Sequence, residues 1–141
     1  MMSTMTHARI TEETSLSVTE ALAAVEEELK ARQFGVLWSL DINRTLQEKG
    51  QPAVAPFHIL EVCSAPRAYK ALTSNQSMGY FLPCKVVVMD NAATHKTEIG
   101  LLRPTLMAEM VDDPQHQRQL VELANEVESI LVEAIHAAAQ K

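Results

Sequence analysis

Cys63 and Cys84 are the chain's two thiols, and each stands where a short apolar segment meets a loop: Ile59-Leu60-Glu61-Val62-Cys63-Ser64 and Leu82-Pro83-Cys84-Lys85-Val86-Val87-Val88. If these segments are strands paired antiparallel, the end of the first lies beside the start of the second and both sulfurs reach one edge of the fold. Two thiols so placed can form a reversible disulfide when their α-carbons come within about 7 Å. They can equally hold a soft metal ion such as copper(I) or zinc(II). Cys63 also opens onto a helix expected over residues 65–72, whose dipole favours a thiolate. Against this stands simple packing, because free cysteine is among the most buried residue types. The spacing of the pair matches no CxxC motif, and two thiolates do not complete a zinc shell. Packing therefore weighs more than chemistry for each thiol taken singly.

The other candidates depend on what the fold brings near the thiols. Glu61 shares an expected strand face with Cys63. On a buried face its carboxylate needs a partner, whereas on an open face it is an ordinary solvated acid, the plainer reading. Met78, Met89, Met107 and Met110 add soft sulfur, with Met107 and Met110 spaced to share a helix face. Methionine usually fills core gaps, but a thioether such as Met78 near the thiols tilts a metal reading towards copper(I). His7, His58, His95, His116 and His136 are scattered over different segments without a ligand-pair spacing. There is no Gly-x-Ser-x-Gly elbow, and four glycines leave little room for a phosphate loop or dinucleotide fingerprint.

These residues need a scaffold, and 141 residues correspond to one domain. A chain of this size buries roughly two thirds of its unfolded surface, so it folds without disulfides or metal. With 47% hydrophobic and 21% charged residues the composition is that of a globular protein. The net charge of −6 repels phosphate backbones, which argues against nucleic acid as a partner. Residues 1–10 lack the apolar core of a signal peptide, and no run approaches the ~18 apolar residues of a membrane span. The expected location is cytoplasmic, where cysteines are free thiols, ligands or transient redox pairs rather than staples.

Residues 1–13 are polar and unpatterned and read as a flexible arm; 14–139 read as a single domain. A short strand is expected at 14–18, running into a helix. Ser17 and Glu20 have the form of a capping box, and Val18, Leu22, Val25 and Leu29 line one face of a helix ending near Arg32. Residues 34–42 alternate as a half-buried strand. A short helix at 43–49 stops at Gly50, a residue suited to a left-handed helix end. Strands are expected at 57–63, 84–90 and 97–102, with a helix at 65–72 and turns at 74–79. Pro104 leads to a brief helix at 105–111. Asp112-Asp113-Pro114 opens a last helix, lined by Leu120, Leu123, Val127, Ile130, Leu131, Ala134 and Ile135. The fold class expected is α+β: a curved antiparallel sheet of about five strands with packed helices and a long C-terminal helix.

The capped first helix, the Phe34-Gly-Val-Leu-Trp-Ser-Leu-Asp-Ile42 strand and the Phe57-His-Ile-Leu-Glu-Val62 strand follow one another in a familiar order. Cys63 and Pro66 at a helix start, and Gly79-Tyr-Phe-Leu-Pro-Cys84-Lys-Val-Val-Val88, complete the set. Together they resemble the bacterial and archaeal domain of unknown function family 302 over roughly residues 14–137. The resemblance implies a curved antiparallel sheet with packed helices and a homodimer, and it brings no established reaction. Members often open the middle helix with Cys-Asn-Pro; here Ser64-Ala65 stands between cysteine and proline.

The expectation is therefore a non-catalytic binding protein acting as a homodimer on a small ligand or protein partner, with no resident cofactor. Val121 and Val132, off the main stripe of the last helix, add to the dimer expectation. The alternative is a thiol-redox or soft-metal protein, handling copper or zinc through Cys63 and Cys84.

Overall fold

The computed structural model describes residues 4–141; Met1–Ser3 of the expected arm lie outside the described residues. Six strands form one antiparallel sheet: β1 (Thr4–Met5), β2 (Arg9–Thr14), β3 (Gly35–Asp41), β4 (Phe57–Cys63), β5 (Cys84–Asp90) and β6 (Thr97–Leu102), in the order β1-β2-β6-β5-β4-β3. Five helices accompany them: α1 (Val18–Ala31), α2 (Ile42–Glu48), α3 (Ala65–Ser74), α4 (Pro104–Met110) and α5 (Gln117–Ala139), with a 3-10 helix at Gln76–Tyr80. The α+β class stands.

The sheet's two faces follow from strand alternation. The cross-strand rows Leu60-Val86-Leu101-Ile10 and His58-Val88-Ile99-Glu12 point to one side. That side packs on α1 through Ala21, Val25 and Leu29 and on α5 through Leu131, Ala134 and Ile135. A second, smaller cluster joins α3, the 3-10 helix, α4 and α5 through Ala71, Met78, Ala108, Val111, Leu120 and Ala124.

α1 starts where expected, because its capping box is complete. Ser17 Oγ accepts from Glu20 N at 3.1 Å, and Glu20 Oε1 accepts from Ser17 N at 2.9 Å. Ser17→Ala is expected to lower unfolding stability by about 1 kcal/mol in urea titration, the usual worth of such a cap. Gly50 has the left-handed φ of 81° anticipated for the end of the short helix.

Four expectations change. The first full strand is not at 14–18 but at Arg9–Thr14, inside the segment read as an arm. Alternation is present there (Ile10, Glu12 and Thr14 buried), but acidic Glu12 on the core side conceals it. Its carboxylate lies 2.8 Å from His136 Nδ1 of α5, and Thr14 Oγ1 donates to Ala139 O at 2.9 Å. Second, 34–42 is no half-buried strand: β3 is the sheet's edge, and a register shift between Val36 and Trp38 sets Val36 opposite Val62 but Trp38 opposite Glu61. Third, α5 begins at Gln117 rather than at the acidic pair, since Asp113 accepts from His116 N in the preceding turn. Fourth, Val121 and Val132 pack against the chain's own core clusters, so they give a dimer no support. Among the described residues, no helix is long and apolar enough to cross a membrane.

Candidate functional site

β4 ends at Cys63 because the backbone then turns into α3, with Ser64 at the cap position and Pro66 tolerated in the first turn. The Ser64 hydroxyl does not cap the helix; it accepts from Arg67 Nη1 at 3.2 Å. β5 begins at Cys84, which pairs in register with Val62. The antiparallel arrangement anticipated for the two segments is the one observed, and the two cysteines stand at the same end of neighbouring strands.

Both are free thiols, and both line one cavity of about 50 Å³. Met78, Met107, Phe34 and Arg67 line it as well, and aliphatic groups of α3 and α5 close it. Its walls come from both clusters: Phe34, Val62 and Cys84 belong to the sheet core, whereas Met78, Leu120 and Ala124 belong to the smaller one. The cavity is thus the seam where the two cores meet.

Arg67 is the charged group of this lining. Its Nη2 donates to Glu126 Oε1 at 2.9 Å, and its guanidinium carbon stands 6.0 Å from the Phe34 ring centroid. Its Nε is buried without a hydrogen-bond partner, an uncommon condition for a cationic donor.

Burial governs the thiols. It pushes Cys84 up from 9.0 to about 11, with the neighbouring Cys63 thiol adding to the shift. Burial also raises Cys63. That direction is opposite to the one expected for a thiol at a helix start, and its cause is desolvation of the sulfur. Neutral thiols are poor nucleophiles and exchange slowly. Among the described residues, no group of three or more His, Cys, Asp and Glu side chains is placed to hold a metal ion.

Met78 and Met107 line the same cavity as the two cysteines. Met110, expected to share a face with Met107, is instead 62% exposed at the end of α4. Glu61 takes no part in the cavity: on the face away from α1 and α5, its Oε1 accepts from Lys85 Nζ at 3.2 Å. Met89 stands on that face too, one strand position from Val88. The histidines are dispersed: His58 lies 3.6 Å from Asp41, His116 Nδ1 2.9 Å from Asp113, and His136 beside Glu12. His95 occupies the β5–β6 turn with φ 59°, and His7 is exposed. Arg67 and Phe34 went unmarked in the sequence. The contact joining Arg67 to Glu126 spans 59 residues, and no local pattern announces it.

The family model described as domain of unknown function DUF302 matches residues 10–138. Among solved structures, the crystal structure of an uncharacterized conserved DUF302 protein from Bacillus stearothermophilus is similar over 92% of this chain and 97% of that one. The two share 37% sequence identity, with a TM-score of 0.84. No curated protein matches the chain.

Proposed function

This chain belongs to the DUF302 family, whose membership supplies a fold and no reaction, and from its own surfaces we propose that it is a non-catalytic binding protein acting as a homodimer. One observation carries the reading: the sheet face turned away from α1 and α5 carries an apolar row beside the Glu61–Lys85 pair. The row Leu40-Ile59-Val87 runs across β3, β4 and β5, flanked by Trp38 and by the pair Phe57-Met89. These side chains are half-buried or exposed, and Trp38 at the edge is 52% exposed.

An apolar row beside a bare strand edge is a surface that soluble chains normally cover. A second copy meets it with the same face, in the self-complementary manner of two-fold dimers, and the family resemblance implies a homodimer. A non-catalytic role draws support from the thiols, which burial keeps protonated. It also draws support from Glu61, Glu12 and His136, which are engaged in the inter-element ties Glu61–Lys85 and Glu12–His136.

Light scattering at micromolar concentration is expected to give twice the 15.6 kDa mass of one chain. Ile59→Asp, which sets a carboxylate in the middle of the apolar row, is expected to return the monomer mass with the circular dichroism of the folded chain. A wild-type mass of one chain refutes the dimer.

A further inference from the structure

We propose that the cavity between the two core clusters binds a small, uncharged, apolar group: a free molecule of about four non-hydrogen atoms, or the end of a longer aliphatic chain. This deepens the binding reading, on which it rests, by naming the chemical class of the ligand. It is separate from the dimer, whose surface is the opposite face of the sheet.

Size, polarity and charge each narrow the occupant. The cavity measures about 50 Å³, roughly four times the ~10–15 Å³ that one water-sized sphere occupies. Water filling that space needs polar partners, since a buried water makes about two to four hydrogen bonds. The lining does not offer them. It is almost wholly apolar, and its thiols are weak hydrogen-bonding groups. Ser64 Oγ is occupied by Arg67 Nη1, and Arg67 Nη2 by Glu126. That leaves Arg67 Nε, a single donor. Charge is balanced as well, because Arg67 pairs with Glu126 and burial keeps both thiols protonated at neutral pH. An ion entering this space loses its hydration and finds no free counter-charge. An apolar group is instead favoured by leaving water.

The room exists because small side chains line both sides of the seam, Ala68 and Ala71 on α3 and Ala124 on α5. Met78 and Met107 complete the lining with flexible thioethers, which adapt to irregular contents. α3 is the wall that can yield. Of its ten described residues, Ala71 is the buried one, and a helix with so little buried surface opens at low cost. Arg67, Ala68 and, on α5, Leu123 are partly exposed, which puts the way in between α3 and α5.

The test follows the methionine methyl resonances of the ¹³C-labelled full chain by NMR while xenon is dissolved under pressure, xenon being a known occupant of dry apolar cavities. Met78 and Met107 line the cavity, Met89 stands on the opposite face of the sheet and Met110 is exposed, so one spectrum holds reporters and controls. Saturable shifts are expected at Met78 and Met107 and not at Met89 or Met110. Ala124→Val puts two more carbons into the cavity and is expected to abolish those shifts while the circular dichroism stays that of the folded chain. Ala71→Val, from the other wall, is expected to do the same and decides the matter if the first variant does not fold. Shifts that stay linear in xenon pressure, that are as large at Met89 and Met110, or that persist in both folded variants overturn the assignment. 1-Octanol separates the two sources of the ligand. Displacement of xenon by octanol assigns the site to the end of an aliphatic chain, and xenon binding that octanol leaves unchanged assigns it to a free small molecule. Failure here leaves the light-scattering result, and with it the dimer, standing.

Discussion

At pH 8, Cys84 of the folded chain is expected to react with iodoacetamide about a hundredfold more slowly than the same residue in urea, because only the thiolate attacks. The shift from 9.0 to about 11 sets that ratio. Two pH units separate the values, so the thiolate fraction falls about a hundredfold while both thiols remain mostly protonated. Limited access through the cavity walls slows the folded protein further. Mass spectrometry of timed, quenched samples reads the two cysteines separately. Cys63, partly exposed where Cys84 is buried, is expected to be modified first. Equal rates at Cys84 in the folded and unfolded chain would contradict the buried placement of that sulfur.

The same shift bears on stability, and its sign is opposite to that of a salt-bridged carboxylate. The folded state holds the Cys84 proton more tightly than the unfolded state does. Stability from keeping this thiol neutral is therefore fully present below pH 9 and is lost as pH rises from 9.0 towards about 11. Over that interval the unfolded chain releases a proton that the folded chain retains. Alkaline urea midpoints are expected to fall across this window, and to fall less in Cys84→Ala.

Leu131→Ala is expected to lower unfolding free energy by about 2–5 kcal/mol, the range for large-to-small changes in a closed core. Leu131 is fully buried among the residues that join α5 to the sheet and α1. Native stabilities are about 5–15 kcal/mol, so this one truncation consumes a large share. Leu131→Met, which keeps the volume, is expected to cost less than about 1.5 kcal/mol in the same urea titration. A loss at alanine no larger than at methionine would mean that α5 packs differently from the arrangement described.

Central strands and capped helices were legible because their signals are local. Residues 57–63, 84–90 and 97–102 carry their apolar alternation on the chain itself, and observed strands occupy those spans. Ser17 and Glu20 announce α1 within a single turn. β2 was missed because its core-facing positions include Glu12, whose partner His136 is far away in sequence. β3 was misjudged because alternation shows which residues share a side but not whether a helix covers it, and the register shift near Leu37 broke even that pattern. At the candidate site, the placement of Cys63 and Cys84 at the same end of neighbouring strands could be reasoned from strand pairing. The convergence of Met107, Phe34 and Arg67 could not, since it depends on how α4, α3 and α1's exit loop pack together.

The ties of Glu12 to His136 and of Thr14 to Ala139 close over separations of 124 and 125 residues. Beyond the two-residue β1, β2 finds its sheet partner in β6, where Arg9 pairs with Leu102. A chain leaving the ribosome therefore makes β2 early and holds it without β6 while α1, β3, β4 and β5 are synthesised. The hairpin of β5 and β6 and the antiparallel β4 can assemble as they emerge, but the core-facing carboxylate of β2 receives its imidazole only with the last helix. Loop closure on this scale is the slow entropic step in folding sheets of non-local pairing. A strand made early is thus among the last to be secured, and its final tie waits on the arrival of α5.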